Sequence, residues 1–243
     1  MNRWCGKVAA VTGASAGIGA AIARSLVQKG MIVVGLARRK EKMEKELECV
    51  KDKGTFIARK LDITDECAII HTFEWIKKEF GGVNVLVNNA GIAIPGQILD
   101  VETAIWKQTI DVNVLGTLRC TREAVKILKE TCEEGHIINI NSVLGHRIPR
   151  TGNAFPLNVY PSTKFAITAL TQTLEDELRG SRIKISSISP GLVKTEIFDF
   201  DKDVSGWPYL ESEDIADAVV YALGTHPRVQ LSDIMIRPVG EAF

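Results

Sequence analysis

Tyr160 and Lys164 stand four residues apart in Tyr160-Pro161-Ser162-Thr163-Lys164. On a helix that spacing puts both side chains on one face. A free tyrosine has a pKa of about 10. A neighbouring ammonium favours the phenolate and brings the hydroxyl toward useful acid–base range. Ser142 follows an apolar run and offers a hydroxyl that can hydrogen-bond a reacting oxygen and stabilise charge developing on it. Asn113 places an amide inside Asp111-Val112-Asn113-Val114. Each has a plainer reading when taken alone: a helix-surface pair, a cap or turn serine, a packing amide.

A second group suits a phosphate. Thr12-Gly13-Ala14-Ser15-Ala16-Gly17-Ile18-Gly19 leaves an apolar strand and opens an amphipathic helix. Its glycines allow a sharp turn and a close backbone approach, and the helix turns free N–H groups and its positive dipole end toward the anion. The spacing is Gly-x-x-x-Gly-x-Gly rather than the commoner Gly-x-Gly-x-x-Gly. An NAD site would place an acid about 20 residues on, at the end of the second strand. That strand ends instead Gly35-Leu36-Ala37-Arg38-Arg39. Ala37 leaves room, and guanidinium groups can meet a 2′-phosphate bidentately. The expected cofactor is therefore NADP(H), with position favouring Arg38 over Arg39. The alternative is that both arginines merely open the solvated face of the charged helix that follows.

The elements that must hold these groups follow from periodicity. Short apolar runs at 8–12, 31–36, 55–61, 83–88, 136–141, 183–189 and 234–237 read as strands. Helical patterns cover 17–28, 41–52, 66–80, 104–132, 161–179 and 213–223. Such alternation indicates an α/β chain with a parallel sheet buried on both faces and right-handed crossovers. The irregular stretches 144–157 and 196–210 follow strands, where open α/β sheets bind ligands. They are the expected substrate-contacting loops.

A chain of 243 residues is long enough for one well-buried α/β domain and short for two. Lys plus Arg and Asp plus Glu are both 30, so charge gives no reason to expect nucleic acid. Cys5, Cys49, Cys67, Cys120 and Cys132 are odd in number and scattered, which argues against a disulfide framework and against zinc. His71, His136, His146 and His226 have no ligand spacing and read as surface or partly buried neutral side chains; no metal is expected. No apolar run reaches the roughly 18 to 20 residues of a membrane span, and the N-terminus lacks the apolar core of a signal peptide. The expected compartment is the cytosol.

Further motifs occur in order. Asp62-Ile63 closes the third strand, Asn88-Asn89-Ala90-Gly91 the fourth, Ser142 the fifth, and Pro190-Gly191 with Thr195 follows the sixth. With the glycine turn and the Tyr160/Lys164 pair, this set resembles the short-chain dehydrogenase/reductase superfamily from Gly6 to Pro238. The resemblance implies a single-domain, doubly wound Rossmann-like fold with a seven-stranded parallel sheet. It implies Asn113, Ser142, Tyr160 and Lys164 as the catalytic set, with Asn113 anchoring a water that links Lys164 to solvent. Cofactor contacts are implied at Gly13, Ser15, Gly17, Ile18 and Gly19 of the first turn, and at Arg38 and Arg39. They continue at Asp62, Ile63, Asn89, Ala90 and Gly91, at Tyr160 and Lys164, and at Pro190, Gly191, Val193 and Thr195. Long helices at 104–132 and 161–179, the second with small Ala166 and Ala169, resemble those that build the superfamily's four-helix interface; a homodimer or homotetramer is expected.

Gly135-His136-Ile137-Ile138-Asn139-Ile140-Asn141-Ser142, then Gly145-His146-Arg147, and the ending Asp233-Ile234-Met235-Ile236-Arg237-Pro238 resemble more narrowly the insect farnesol dehydrogenases and the related vertebrate dehydrogenase/reductase member eleven. The gap from Ser142 to Tyr160 is longer than most of the superfamily shows, with the extra residues around 151–155. Large apolar side chains follow Thr195 without a compact basic cluster. Substrate contacts are expected at Ser142, Leu144, Phe155, Tyr160, Phe198 and Trp207. The expected reaction interconverts a hydrophobic alcohol and its carbonyl, an isoprenoid such as farnesol first and a steroid or aromatic ketone next. A non-catalytic NADP(H)-binding regulator is the competing class.

Overall fold

A computed structural model of the chain describes residues 1–47, 53–131, 134–149, 156–197 and 206–241. Seven parallel strands form one sheet: β1 Val8–Thr12, β2 Ile32–Ala37, β3 Thr55–Lys60, β4 Val85–Asn88, β5 Gly135–Ile140, β6 Ile183–Pro190 and β7 Asp233–Ile236. Their order is β3-β2-β1-β4-β5-β6-β7. The chain winds one way from β1 to β3 and the other way from β4 on. The carboxyl ends of β1 and β4 thus flank the crevice where the strand order reverses, which is where such sheets bind ligands.

The helices are α1 Gly17–Gln28, α2 Lys40–Leu47, α3 Glu66–Phe80, α4 Thr103–Ile110, α5 Thr117–Thr131, α6 Tyr160–Glu177 and α7 Ser212–Gly224. Strand side chains alternate between faces, and each face has its own core. On one, Ala9, Val11 and Val33 pack with Ile22 and Leu26 of α1 and Ile215 and Val219 of α7. On the other, Val8, Ala10 and Val34 pack with Ile69 and Phe73 of α3 and Cys120, Ala124 and Leu128 of α5. The second face also carries a buried polar chain. Asn88 Nδ2 donates to Thr121 Oγ1 at 2.8 Å and to Asn139 Oδ1 at 2.9 Å, and Asn139 Nδ2 donates to Thr171 Oγ1 at 2.9 Å. These bonds tie α5 and α6 to β4 and β5 at a defined register.

Three expectations change. The single helix over 104–132 is α4 and α5 joined by a π turn at Asp111–Gly116. A π turn is a short insertion inside an otherwise continuous helix, and the sequence periodicity reads through it as one helix. The pattern over 41–52 is observed as α2 to Leu47, and 48–52 fall outside the described residues. His136 is 1% exposed, fully rather than partly buried or at the surface; its Nε2 pairs with Ser186 Oγ at 2.8 Å, and burial brings the imidazole down to about 3. Among the described residues, no helix is long and apolar enough to cross a membrane, and no cluster of His, Cys, Asp and Glu is placed to hold a metal ion.

Candidate functional site

The turn after β1 is stitched to the turn after β4. Thr12 Oγ1 accepts from the amides of Asn89 at 3.0 Å and Ala90 at 3.1 Å and donates to Val87 O at 3.3 Å. Asn89 Nδ2 returns hydrogen bonds to Thr12 O at 2.9 Å and Gly13 O at 3.3 Å. Gly13 has φ +68, and a Cβ there would lie 2.8 Å from Asn89 Nδ2 and 2.9 Å from Ala90 Cα. No other residue fits such a position. A cleft that only backbone can line so closely suits a pyrophosphate lying across the α1 N-terminus. Gly19 stands apart from its expected role. It does not line the cleft; a Cβ there would meet Gly13 O and Asn89 Nδ2, both at 2.4 Å, so Gly19 lets α1 close against the turn.

One cavity of about 960 Å³ runs from this turn to Tyr160. Its lining includes the expected Gly13, Ser15, Gly17, Ile18, Arg38 and Arg39, with Asp62, Ile63, Asn89, Ala90 and Gly91. Pro190, Gly191, Val193 and Thr195 close the side after β6. Arg39 Nη2 reaches Ser15 Oγ at 3.2 Å and Glu196 Oε2 at 3.1 Å. Asp62 Oδ1 accepts from Thr64 N at 3.0 Å and Thr64 Oγ1 at 2.8 Å. The Thr64 backbone bond, foremost, holds the Asp62 carboxyl below its usual range, and Arg38 adds to the effect.

The other end is dry. Tyr160 and Lys164 begin α6 and are each 8% exposed. Lys164 Nζ donates to Ile140 O at 2.9 Å and lies 5.6 Å from the centre of the Tyr160 ring. Burial brings the Lys164 ammonium down to about 8. Burial also pushes the Tyr160 hydroxyl up, against a hydrogen bond with Ser142 that favours ionisation. In the protein alone desolvation is the larger effect on Tyr160; the expected lowering is that of the lysine acting together with an oxidised nicotinamide. Ser142 Oγ accepts from Leu144 N at 3.1 Å, which fixes the hydroxyl beside the tyrosine.

Asn113 is 3% exposed and stands behind the cavity rather than on its wall. Its Oδ1 accepts from Ile92 N at 2.9 Å, and its Nδ2 donates to Ile92 O at 2.9 Å and Thr163 Oγ1 at 3.1 Å. Those bonds use the amide's two donor hydrogens. The amide thus pins the loop after β4 and, through the Thr163 hydroxyl donated to Tyr160 O at 2.7 Å, the first turn of α6. Thr163 and Ile92 escaped the sequence reading, although Thr163 lies inside the Tyr-to-Lys motif itself.

Leu144 and Trp207 line the cavity as expected, while Phe155 and Phe198 fall outside the described residues. Ile92, Ala93 and Ile94 form an unforeseen wall. A bridge pairs Gly96 with Leu157, and Leu157 lines the cavity. Asn158, the one positive-φ residue other than glycine among the described residues, has φ 52 and donates Nδ2 to Ile94 O at 3.4 Å. A left-handed turn two residues before Tyr160 aims both the bridge and the helix start.

Residues 7–204 match the short chain dehydrogenase family. The chain is 48% identical, over 249 aligned positions, to the farnesol dehydrogenase of Aedes aegypti, with all of both chains covered. It is 45% identical to dehydrogenase/reductase SDR family member 11 of Gallus gallus, covering 98% of each chain. An alcohol dehydrogenase from the archaeon Thermococcus sibiricus, solved in complex with 5-hydroxy-NADP, superimposes with TM-score 0.84 at 28% identity over 98% of each chain. The chain belongs to the short chain dehydrogenase family and is an oxidoreductase of that family.

Proposed function

We propose that this protein is an NADP(H)-dependent oxidoreductase that interconverts a hydrophobic alcohol and its carbonyl compound, with a farnesol-like isoprenoid alcohol favoured. The observation that carries the proposal is one cavity with two ends: Ser142, Tyr160 and Lys164 at one, Arg38 and Arg39 at the other. When bound, the nicotinamide supplies or accepts the hydride. Tyr160 gives its proton to the carbonyl oxygen in reduction and takes it back in oxidation. Ser142 holds that oxygen and stabilises its developing charge. Lys164, charged below about pH 8, is a buried cation beside the tyrosine ring and favours its phenolate when the alcohol must lose its proton.

The substrate reading rests on the walls near Tyr160. Ile94, Leu144, Pro149, Leu157, Ile197 and Trp207 are apolar residues of the cavity lining. The other charged liners belong to the nucleotide side. Arg38 stands by Asp62, Asp111 is tied through Arg119 to Thr64 O, and Glu196 pairs with Arg39. A carboxylate or phosphate substrate would want a cation near the tyrosine beyond the lysine. The Aedes aegypti relative, named a farnesol dehydrogenase, supports the isoprenoid choice.

Steady-state rates with farnesol and NADP⁺, against NAD⁺, decide the reading. The expected result is turnover with at least about tenfold higher kcat/KM for NADP⁺, as one charge-assisted phosphate contact gives. No turnover with any hydrophobic alcohol or carbonyl would favour the non-catalytic reading instead. Exposed Ile110 and Leu115 along the α4–π–α5 stretch and Phe165 on α6 further support a homodimer or homotetramer; a monomeric mass by light scattering at micromolar concentration would refute that.

A further inference from the structure

Glu196 sits one residue beyond Thr195, on the segment that follows β6, yet its carboxylate reaches across to α2. Oε2 pairs with Arg39 Nη2 at 3.1 Å, and Oε1 with Lys42 Nζ. Arg39 immediately precedes α2 and Lys42 lies three residues on in its first turn, so their side chains meet on one face. Arg39 Nη2 also touches Ser15 Oγ at 3.2 Å, and Ser15 lines the cofactor cleft. A guanidinium and an ammonium therefore hold one carboxylate beside the glycine turn, and the guanidinium also meets the Ser15 hydroxyl. The hydrogen bond from Lys42, foremost, holds the Glu196 carboxyl below its usual range, and that from Arg39 adds to it. Lys42 and Glu196 also line a smaller recess next to the main cavity, which shares Ala16 and Gly17 with it.

Building on the NADP(H) reading above, we infer that Lys42 is a third cation of the 2′-phosphate site, and that Glu196 is an internal anion that fills this site until the phosphate displaces it. The chemistry favours an exchange of this kind. A phosphate monoester near neutral pH carries a charge approaching two and three acceptor oxygens. A carboxylate carries one charge and two oxygens. The same donors therefore hold the phosphate more strongly. A ribose 2′-hydroxyl has no charge and cannot displace the carboxylate. Glu196 would then weaken binding of the phosphate-bearing nucleotide by the strength of its own pairs and leave the unphosphorylated one untouched. The side chains of Arg39 and Glu196 are more than half exposed, so the pairs are screened and the competition is mild.

The test needs no turnover. Binding of adenosine 2′,5′-bisphosphate and of 5′-AMP is measured by calorimetry on the wild-type chain and on Lys42→Met and Glu196→Gln. Lys42→Met is expected to weaken the bisphosphate roughly tenfold. Glu196→Gln is expected to tighten it roughly threefold. Neither should change 5′-AMP. If the wild-type chain fails to prefer the bisphosphate, the NADP(H) reading falls and takes this inference with it. If the preference holds but Lys42→Met leaves it intact, Lys42 is no part of the site. If Glu196→Gln weakens bisphosphate binding or leaves it unchanged, Glu196 supports the site rather than competing for it. Either of these last two results overturns the inference while the NADP(H) reading stands.

Discussion

Within one cavity, Tyr160 and Lys164 are each 8% exposed, whereas the side chains of Arg39 and Glu196 are 56% and 57% exposed. At the dry end the protonation of each group is set first by the loss of water. Burial raises the tyrosine and lowers the lysine, each toward its neutral form. At the wet end the ions keep their charge, pair with each other and are screened. The same Coulomb law operates at both ends, but the effective dielectric differs severalfold. Substitutions at the dry end should be severe and little affected by salt. Those at the wet end should be graded and salt-sensitive.

Tyr160→Phe gives the largest expected effect. It removes the transferable proton and keeps the ring, while Ser142 retains its bond from Leu144 N. Turnover should fall by about three orders of magnitude with NADPH affinity retained. A rate close to that of the wild type would rule out Tyr160 as the acid and base.

Next is the pH dependence of stability in the cofactor-free protein. Lys164 has its proton affinity lowered from 10.5 to about 8 by burial. Below pH 8 the folded and unfolded chains both hold the proton, and the folded chain bears the full cost of the buried charge. Between about 8 and 10.5 the folded chain releases the proton while the unfolded chain keeps it, so this cost is relieved as pH rises. Relative to Lys164→Met, the wild type should gain up to about 3 kcal/mol across that window. Denaturant unfolding of both proteins at several pH values checks this. A constant difference would mean that Lys164 is better solvated than its 8% exposure indicates.

The parts legible in the sequence were local ones. The glycine turn, Arg38 and Arg39, Ser142, Tyr160 and Lys164 all sit at strand ends or on one helical turn, and short spacing encodes their geometry. The strand and helix pattern was legible for the same reason, to within a residue or two at most element ends. What escaped depends on partners distant in the chain. Lys42 meets Glu196 across 154 residues, and Asn113 meets Thr163 across 50. The left-handed turn at Asn158 and the π turn around Asn113 are backbone choices made by tertiary packing. Protonation at Tyr160 depends on burial, which a motif does not state.

Arg38→Ala tests the wet end directly. One charge-assisted hydrogen bond corresponds to roughly ten- to a hundredfold in affinity. NADPH binding should weaken by that factor and NADH binding stay almost unchanged. Added salt should shrink the difference between wild type and variant, since Arg38 is exposed. Equal losses for both cofactors would show that Arg38 does not read the 2′-phosphate.

The smallest expected effect belongs to the substrate wall, where no single charge decides. Each methylene moved from water to apolar surroundings is worth about 0.8 kcal/mol, or roughly fourfold in binding. Along a series of primary alcohols the KM should therefore fall with chain length, by at most about fourfold per carbon. The gain per carbon should be smaller than this, because Trp207 is 38% exposed and the wall is not sealed. Growth of affinity should stop once the chain extends past the apolar lining into solvent. Trp207→Ala should flatten the slope while leaving kcat for the shortest alcohols unchanged, since a short chain near Tyr160 does not reach the far wall. If KM stays flat or rises with length while a charged sugar or hydroxy acid turns over efficiently, the wall does not select its substrate by apolar burial. The contrast between a dry end and a wet end would then apply to proton transfer alone.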